Sequence, residues 1–91
     1  GEYHEHRCSH CGYKANVSGG DDSGFISRTT TIMCIDCKEL SDAVMVDLDR
    51  KRQKIQCKQS VKHQWVRWKS GGPCPRCGNP IQQGRLLILW D

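Results

Sequence analysis

Seven of the 91 residues are cysteines, and six of them stand in three Cys-x-x-Cys pairs: Cys8/Cys11, Cys34/Cys37 and Cys74/Cys77. Two thiols separated by two residues lie on one tight turn and can grip one ion. In Cys74-Pro75-Arg76-Cys77-Gly78, Pro75 fixes φ within the turn. Gly78 supplies the positive φ needed where the chain doubles back beneath the metal, and Gly12 stands at the same place after the first pair. One such pair would be ambiguous between metal and redox chemistry. Three pairs in so short a chain point to metal.

A tetrahedral structural site takes four ligands, commonly Cys₄ or Cys₃His. The three pairs supply six. Cys57 is the seventh cysteine, and His63 is the only histidine outside the first ten residues. Together they make eight ligands, enough for two ions with no cysteine left over. Three groupings are open: sequential, nested (Cys8/Cys11 with Cys74/Cys77) and cross-braced. The sequential one joins Cys8/Cys11 to Cys34/Cys37 and Cys57/His63 to Cys74/Cys77. It closes the shortest loops, an entropic preference on the order of 1 kcal/mol, and gives each site one glycine-backed knuckle and one plainer pair. It is the expected grouping. Disulfides are the rival use of the thiols. The odd count, the close pairing and the absence of a preceding apolar signal segment favour reduced, metal-bound cysteines and a cytoplasmic protein.

The stretches CSHCGY and CPRCGN resemble the knuckles of zinc-ribbon and rubredoxin-like proteins, two hairpin turns presenting four ligands between short strands. The layout of CxxCGY, a Ser-Gly-Gly-Asp loop, CxxCKEL, a Cys…His segment, CPRCG and a terminal Trp-Asp is similar to small bacterial tandem zinc-ribbon proteins. The resemblance implies fold and metal, not an activity. The long Gly/Asp loop and the histidine ligand depart from an all-thiolate iron site and favour zinc.

The elements that must position these ligands read as β. Hydrophobic residues are 36% of the chain, too few for a large core, so a metal staple is needed. Residues 13–17 alternate like a short strand. Residues 18–24 form a turn-rich loop, in which Asp21 and Asp22 are turn formers, because the Asp-x-Asp-x-Asp spacing of a calcium loop is absent. Phe25 and Ile26 are expected to plug the core. Residues 28–33 are β-branched and enter the second pair as a strand. A helix can be drawn from Lys38, but the valines up to residue 48 favour a strand. Residues 64–68 and 85–90 read as strands, with Trp65 and Arg67 on one face and Trp68 on the other. His4 and His6 share a strand face and are expected as solvated edge residues, and His10 as surface. The expected whole is a small, mostly-β, metal-stabilised domain, tandem zinc ribbons with irregular loops. Residues 1–49 would hold a Cys₄ site and residues 50–91 a Cys₃His site.

The formal charge is +4. Seven thiolates and two divalent ions would bring it to about +1. Residues 1–45 hold four basic and seven acidic residues, and residues 46–91 hold ten basic and three acidic, so a molecule polar from end to end is expected. Residues 49–54 carry four positive charges and read as a solvated linker. No run approaches the roughly 20 apolar residues of a membrane span. No Ser-His-Asp set, phosphate-binding glycine loop or HExxH motif suggests an enzyme, and no small-molecule substrate is evident. The expected function is a non-catalytic Zn²⁺ module, an adaptor for a protein or nucleic acid. Its basic, aromatic surface would comprise Arg50, Lys51, Arg52, Lys54, Lys58, Lys62, Trp65 and Arg67. The alternative is a thiol redox or metal-delivery protein using an exposed Cys-x-x-Cys.

Overall fold

The computed structural model describes residues 2–23, 27–46, 51–52 and 54–89. Seven strands carry the fold: β1 Glu2–Arg7, β2 Lys14–Val17, β3 Asp22–Ser23, β4 Arg28–Cys34, β5 Glu39–Val46, β6 Trp65–Arg67 and β7 Gln82–Leu89. No helix occurs among the described residues. The valine-bearing segment after Lys38 is a strand, β5, as its β-branched residues suggest. Phe25, Ile26 and Arg50 lie outside the described residues.

The strands form two antiparallel sheets. The first has the order β2-β1-β7, so the amino-terminal strand pairs with the last one, with Glu2 opposite Leu89 and Arg7 opposite Gln82. The second centres on β4. Strand β5 runs along one edge of it, from Arg28↔Val46 to Cys34↔Glu39. Strands β3 and β6 divide the other edge, β3 at Arg28 and Thr29, β6 from Ile32 to Cys34. Both sheets therefore mix strands from the acidic and basic halves of the chain, and the end-to-end polarity expected from sequence is not the arrangement found. The halves interleave because β1 and β4 are each paired by strands from the distant half.

Among the described residues the core is small and built partly from cysteines. Of the ten buried apolar residues among those described, four are cysteines: Cys8, Cys34, Cys57 and Cys74. Val17, Leu40, Trp68 and Ile81 pack with Cys8 and Cys74 in one cluster. Trp68 Nε1 donates to the Pro73 carbonyl at 2.9 Å, which satisfies its one polar atom in the interior.

His4 and His6 are not solvated. β1 is the central strand of its sheet, and the face they share packs against Trp68, Ser70 and Gly19, so that His6 is fully buried. Its ring meets Trp68 edge-on at 5.4 Å. Nδ1 lies 3.1 Å from the His4 carbonyl, which can only accept, so Nδ1 carries the proton and Nε2 accepts from Ser70 Oγ at 2.8 Å. Burial pushes the His6 pKa down, whereas the hydrogen bond from His4 to Glu2 pushes the His4 pKa up. Gly19 sits against this pair with φ +87°, and a Cβ there would come within 2.7 Å of His6 Nε2.

A polar hub joins the 18–20 loop to the second sheet. The buried Thr31 hydroxyl donates to Asp42 Oδ1 at 2.6 Å and accepts from the Gly19 and Gly20 amides. Asp42 also accepts from the Ser18 amide at 2.9 Å and the Ser18 hydroxyl at 3.1 Å. Replacing Asp42 with alanine strands these donors and should cost about 1–3 kcal/mol. Asp42→Asn keeps an acceptor and should cost less. Denaturant unfolding of the two variants checks the order.

Candidate metal centres

Each knuckle is a hairpin turn of one design. In the first, the Cys8 amide donates to the Tyr13 carbonyl at 2.8 Å and the Gly12 amide to the Cys8 carbonyl at 2.9 Å. In the third, the Cys74 amide donates to the Asn79 carbonyl at 2.7 Å and the Gly78 amide to the Cys74 carbonyl at 2.9 Å. The second repeats the inner bond, Lys38 amide to Cys34 carbonyl at 2.9 Å. The residue after the second cysteine has positive φ in all three: Gly12 at 81°, Lys38 at 56° and Gly78 at 82°. Glycine takes this conformation freely, and Lys38 is the non-glycine residue that must take it with a side chain.

Two groups of ligands result: Cys8, Cys11, Cys74 and Cys77, and Cys34, Cys37, Cys57 and His63. Within each, one ligand atom per residue lies within 4.8 Å of all the others, so each group could hold a metal ion. This is the nested grouping. The sequential one, with Cys8/Cys11 beside Cys34/Cys37, is not found. A loop-closure preference on the order of 1 kcal/mol is small beside the pairing of β1 with β7, which brings the first and last knuckles together.

In the all-cysteine group, Cys8 Sγ lies 3.4 Å from Cys77 Sγ and Cys11 Sγ 3.6 Å from Cys74 Sγ. The Arg76 amide donates to Cys74 Sγ at 3.4 Å and the Asn79 side chain to Cys77 Sγ at 3.5 Å. In the second group, His63 Nδ1 faces Cys34, Cys37 and Cys57 Sγ at 3.7, 3.3 and 3.5 Å. Nδ1, not Nε2, is therefore the atom that would ligate an ion here. Cys34 closes β4, and Cys37 sits in the turn after it. The 55–64 segment delivers Cys57 and His63. It is fastened at its end by the Ile35 amide bonding the Gln64 carbonyl at 2.9 Å and the Gln64 amide bonding Asp36 Oδ2 at 2.7 Å.

Without a cation the thiols of each group oppose one another's ionisation. Backbone amides favour one thiolate per group: that of Asn79 lowers Cys77 to about 6, and that of Gln59 lowers Cys57 to about 6. Their neighbours go the other way. The Tyr13 amide pulls Cys11 down, but desolvation and the sulfurs of Cys74, Cys77 and Cys8 outweigh it and push Cys11 up to about 12. Desolvation, then Cys34 and Cys57, push Cys37 up to about 12. All seven cysteines are free thiols.

Side chains not singled out by sequence join the two centres. Arg76 lies over the Tyr13 ring at 5.2 Å, reaches Glu39 Oε1 at 3.5 Å and donates from Nε to the Lys38 carbonyl at 3.3 Å. Tyr13 Oη accepts from the Leu40 amide at 2.8 Å. Both residues belong to knuckles of the first centre, and both reach the segment that leaves the second. Nothing in their spacing signals this, because the contact depends on how the sheets meet.

The basic residues expected to form one surface do not line one groove. Lys51, Arg52, Lys54, Lys58, Lys62 and Arg67 are exposed, and Trp65 is half-buried. Lys54 and Lys58 line a groove of about 560 Å³ with Tyr3 and Asp42. Arg52 and Arg67 line another. No helix of the described residues is long and apolar enough to cross a membrane. Comparison with family models, curated proteins and solved structures gives no match to the chain.

Two predictions follow from the geometry. Cys8→Ala and Cys77→Ala should each lose the same ion, so the double variant keeps one, whereas Cys8→Ala with Cys34→Ala should keep none. Native mass spectrometry reads the count. Lys38→Gly should stabilise the fold by up to about 1 kcal/mol, since relief of the left-handed penalty exceeds the added chain entropy. Gly12→Ala and Gly78→Ala, where an added Cβ meets no atom within 4 Å, should each cost about 1–2 kcal/mol through the backbone alone.

Proposed function

We propose that the protein is a non-catalytic module held in shape by two zinc ions, and that it acts as an adaptor presenting a basic surface to a nucleic acid or protein. The observation that carries the reading is the pair of complete four-ligand sets. A tetrahedral zinc site built from protein ligands leaves no position for water to be activated. Zinc–sulfur bonds of about 2.3 Å in a tetrahedron place sulfurs about 3.8 Å apart, close to the 3.4–3.7 Å separations between cysteines here. The imidazole in the second set favours zinc over an all-thiolate iron site. The role of the metal is then thermodynamic. Structural zinc contributes about 10–16 kcal/mol to small folding units, which suits a core whose buried apolar residues are so often cysteine.

A second reading, thiol redox or metal delivery, draws on the exposure of Cys11, the most open ligand of its set. One mass measurement under mild oxidant separates the two. Two ions retained support the structural reading; one ion and a new disulfide support the other.

Stripping the metal with a chelator should abolish the β signal in circular dichroism, and two equivalents of zinc should restore it. The adaptor reading predicts single-strand oligonucleotide binding that weakens steeply as salt rises. Replacing Lys54, Lys58 and Lys62 by alanine should abolish that binding with zinc content unchanged. Binding unaffected by the replacement would remove this surface from the proposal.

A further inference from the structure

Three arginines from distant parts of the chain line one groove. Arg28 opens β4, Arg67 closes β6 and Arg52 stands in the bridge that pairs it with Val46. With Met45, Val46 and Ile55 they bound a space of about 380 Å³. The apolar wall has a backbone cause. In a regular strand Met45 and Val46 would point to opposite faces. The register shifts between Arg28↔Val46 and Thr29↔Val44, which leaves Met45 as the extra residue of a bulge. A bulge re-aims side chains, and here both residues line the groove.

The charge is only partly compensated among the described residues. Asp21 forms an exposed pair with Arg67 at 3.7 Å, and Asp21 and Asp22 line an adjoining groove with Arg28 and Met45. Asp21 is also held by the Thr30 hydroxyl at 2.6 Å. Asp22, its neighbour, accepts from the Glu2 amide at 2.7 Å. Among the described residues, three guanidinium charges against Asp21 and Asp22 leave a net of about +1, in a space walled by aliphatic side chains. Exposed ion pairs of this kind are worth about 0–1 kcal/mol, so an incoming anion can displace Asp21 at little cost. Guanidinium forks match the oxygens of phosphate, and a phosphomonoester carries about −1.5 to −2 at neutral pH.

We propose that the groove lined by Arg28, Arg52 and Arg67 binds a phosphomonoester, with the phosphate among the guanidinium groups and the apolar body of the ligand against Met45, Val46 and Ile55. The phosphate can belong to a free mononucleotide or to the phosphorylated end of a nucleic-acid strand. The site shares Arg52 and Arg67 with the proposed adaptor surface but does not rest on that reading, since a phosphomonoester can bind whether or not a polymer does.

The test is titration calorimetry of the zinc-loaded protein with adenosine 5′-monophosphate, with adenosine and inorganic phosphate alongside. The monophosphate should bind and adenosine should not. Arg28→Ala and Arg52→Ala should each weaken binding about tenfold or more. Asp21→Asn should tighten it several-fold by freeing Arg67, a gain that a merely structural role for these residues would not produce. Zinc content should stay at two throughout, and Lys54, Lys58 and Lys62 to alanine should leave monophosphate binding intact. Matched oligonucleotides with and without a 5′-phosphate distinguish the sources. A preference for the phosphorylated strand that Arg28→Ala abolishes assigns the site to strand ends; no preference, with the monophosphate still bound, assigns it to the free nucleotide. Absence of monophosphate binding at millimolar concentration, equal binding of adenosine, or variants that bind like the parent would overturn the proposal.

Discussion

The constraint on which the structure turns is the crowding of ionisable sulfur. The three or four sulfurs of each group, within 4.8 Å of one another, cannot all carry negative charge unaided. The divergence of Cys77, lowered to about 6, from Cys11, raised to about 12, is that conflict expressed within one group. A divalent cation reverses its sign: each thiolate that repels its neighbours is attracted to the ion. The fold serves this arrangement. β1 and β7 lie side by side and carry the knuckles at their ends to one place, and Trp68, Ile81, Val17 and Leu40 close around the inner sulfurs. An apolar cluster so small, with hydroxyls and imidazoles buried beside it, offers little hydrophobic stabilisation of its own.

The two centres are mechanically continuous. The first and third knuckles share the same pair of backbone bonds, which gives the all-cysteine group a near two-fold plan. Their outward residues break that symmetry. Tyr13 from one knuckle and Arg76 from the other stack together and reach Leu40 and Lys38–Glu39, where β5 leaves the second centre. β5 in turn runs back along β4, which ends in Cys34. Disturbance of either ligand group would therefore reach the other through one strand and one stacked pair.

What could be read from sequence divides by range. Knuckle geometry is a property of five consecutive residues, and the positive φ at Gly78 and the turn at each pair follow from local sterics. Strands such as β4 and β5 are also legible, because Thr, Ile and Val announce themselves over a few positions. The eight ligands could be counted because two ions need that number. Their grouping could not, because it depends on β1 meeting β7 some 80 residues away, and loop entropy is too weak a guide to that pairing. His4 and His6 are misread for the same reason: their strand face looks solvated until residues far along the chain, Trp68 and Ser70 among them, pack over it. Arg28 belongs to the acidic half of the sequence, and only the sheet brings it to Arg67.

Charge segregation along the chain is accordingly a poor guide to charge in space. Arg76 of the basic half meets Glu39 of the acidic half at 3.5 Å, and Arg67 meets Asp21 at 3.7 Å. All four side chains are more than half exposed, so these pairs add at most about 1 kcal/mol each. They did not pull the halves together; the strand ladders and the ligand groups did. The pairs are where opposite charges came to rest once the backbone was set. Charges with no ion pair among the described residues, at Arg28 and Arg52 above all, are then the ones left free to attract a group outside the chain. Guanidinium in excess of its carboxylates beside an aliphatic wall is costly to keep dry, so its gathering into one groove by a bulge in β5 is the feature that chain-level charge counting hides and the fold makes visible.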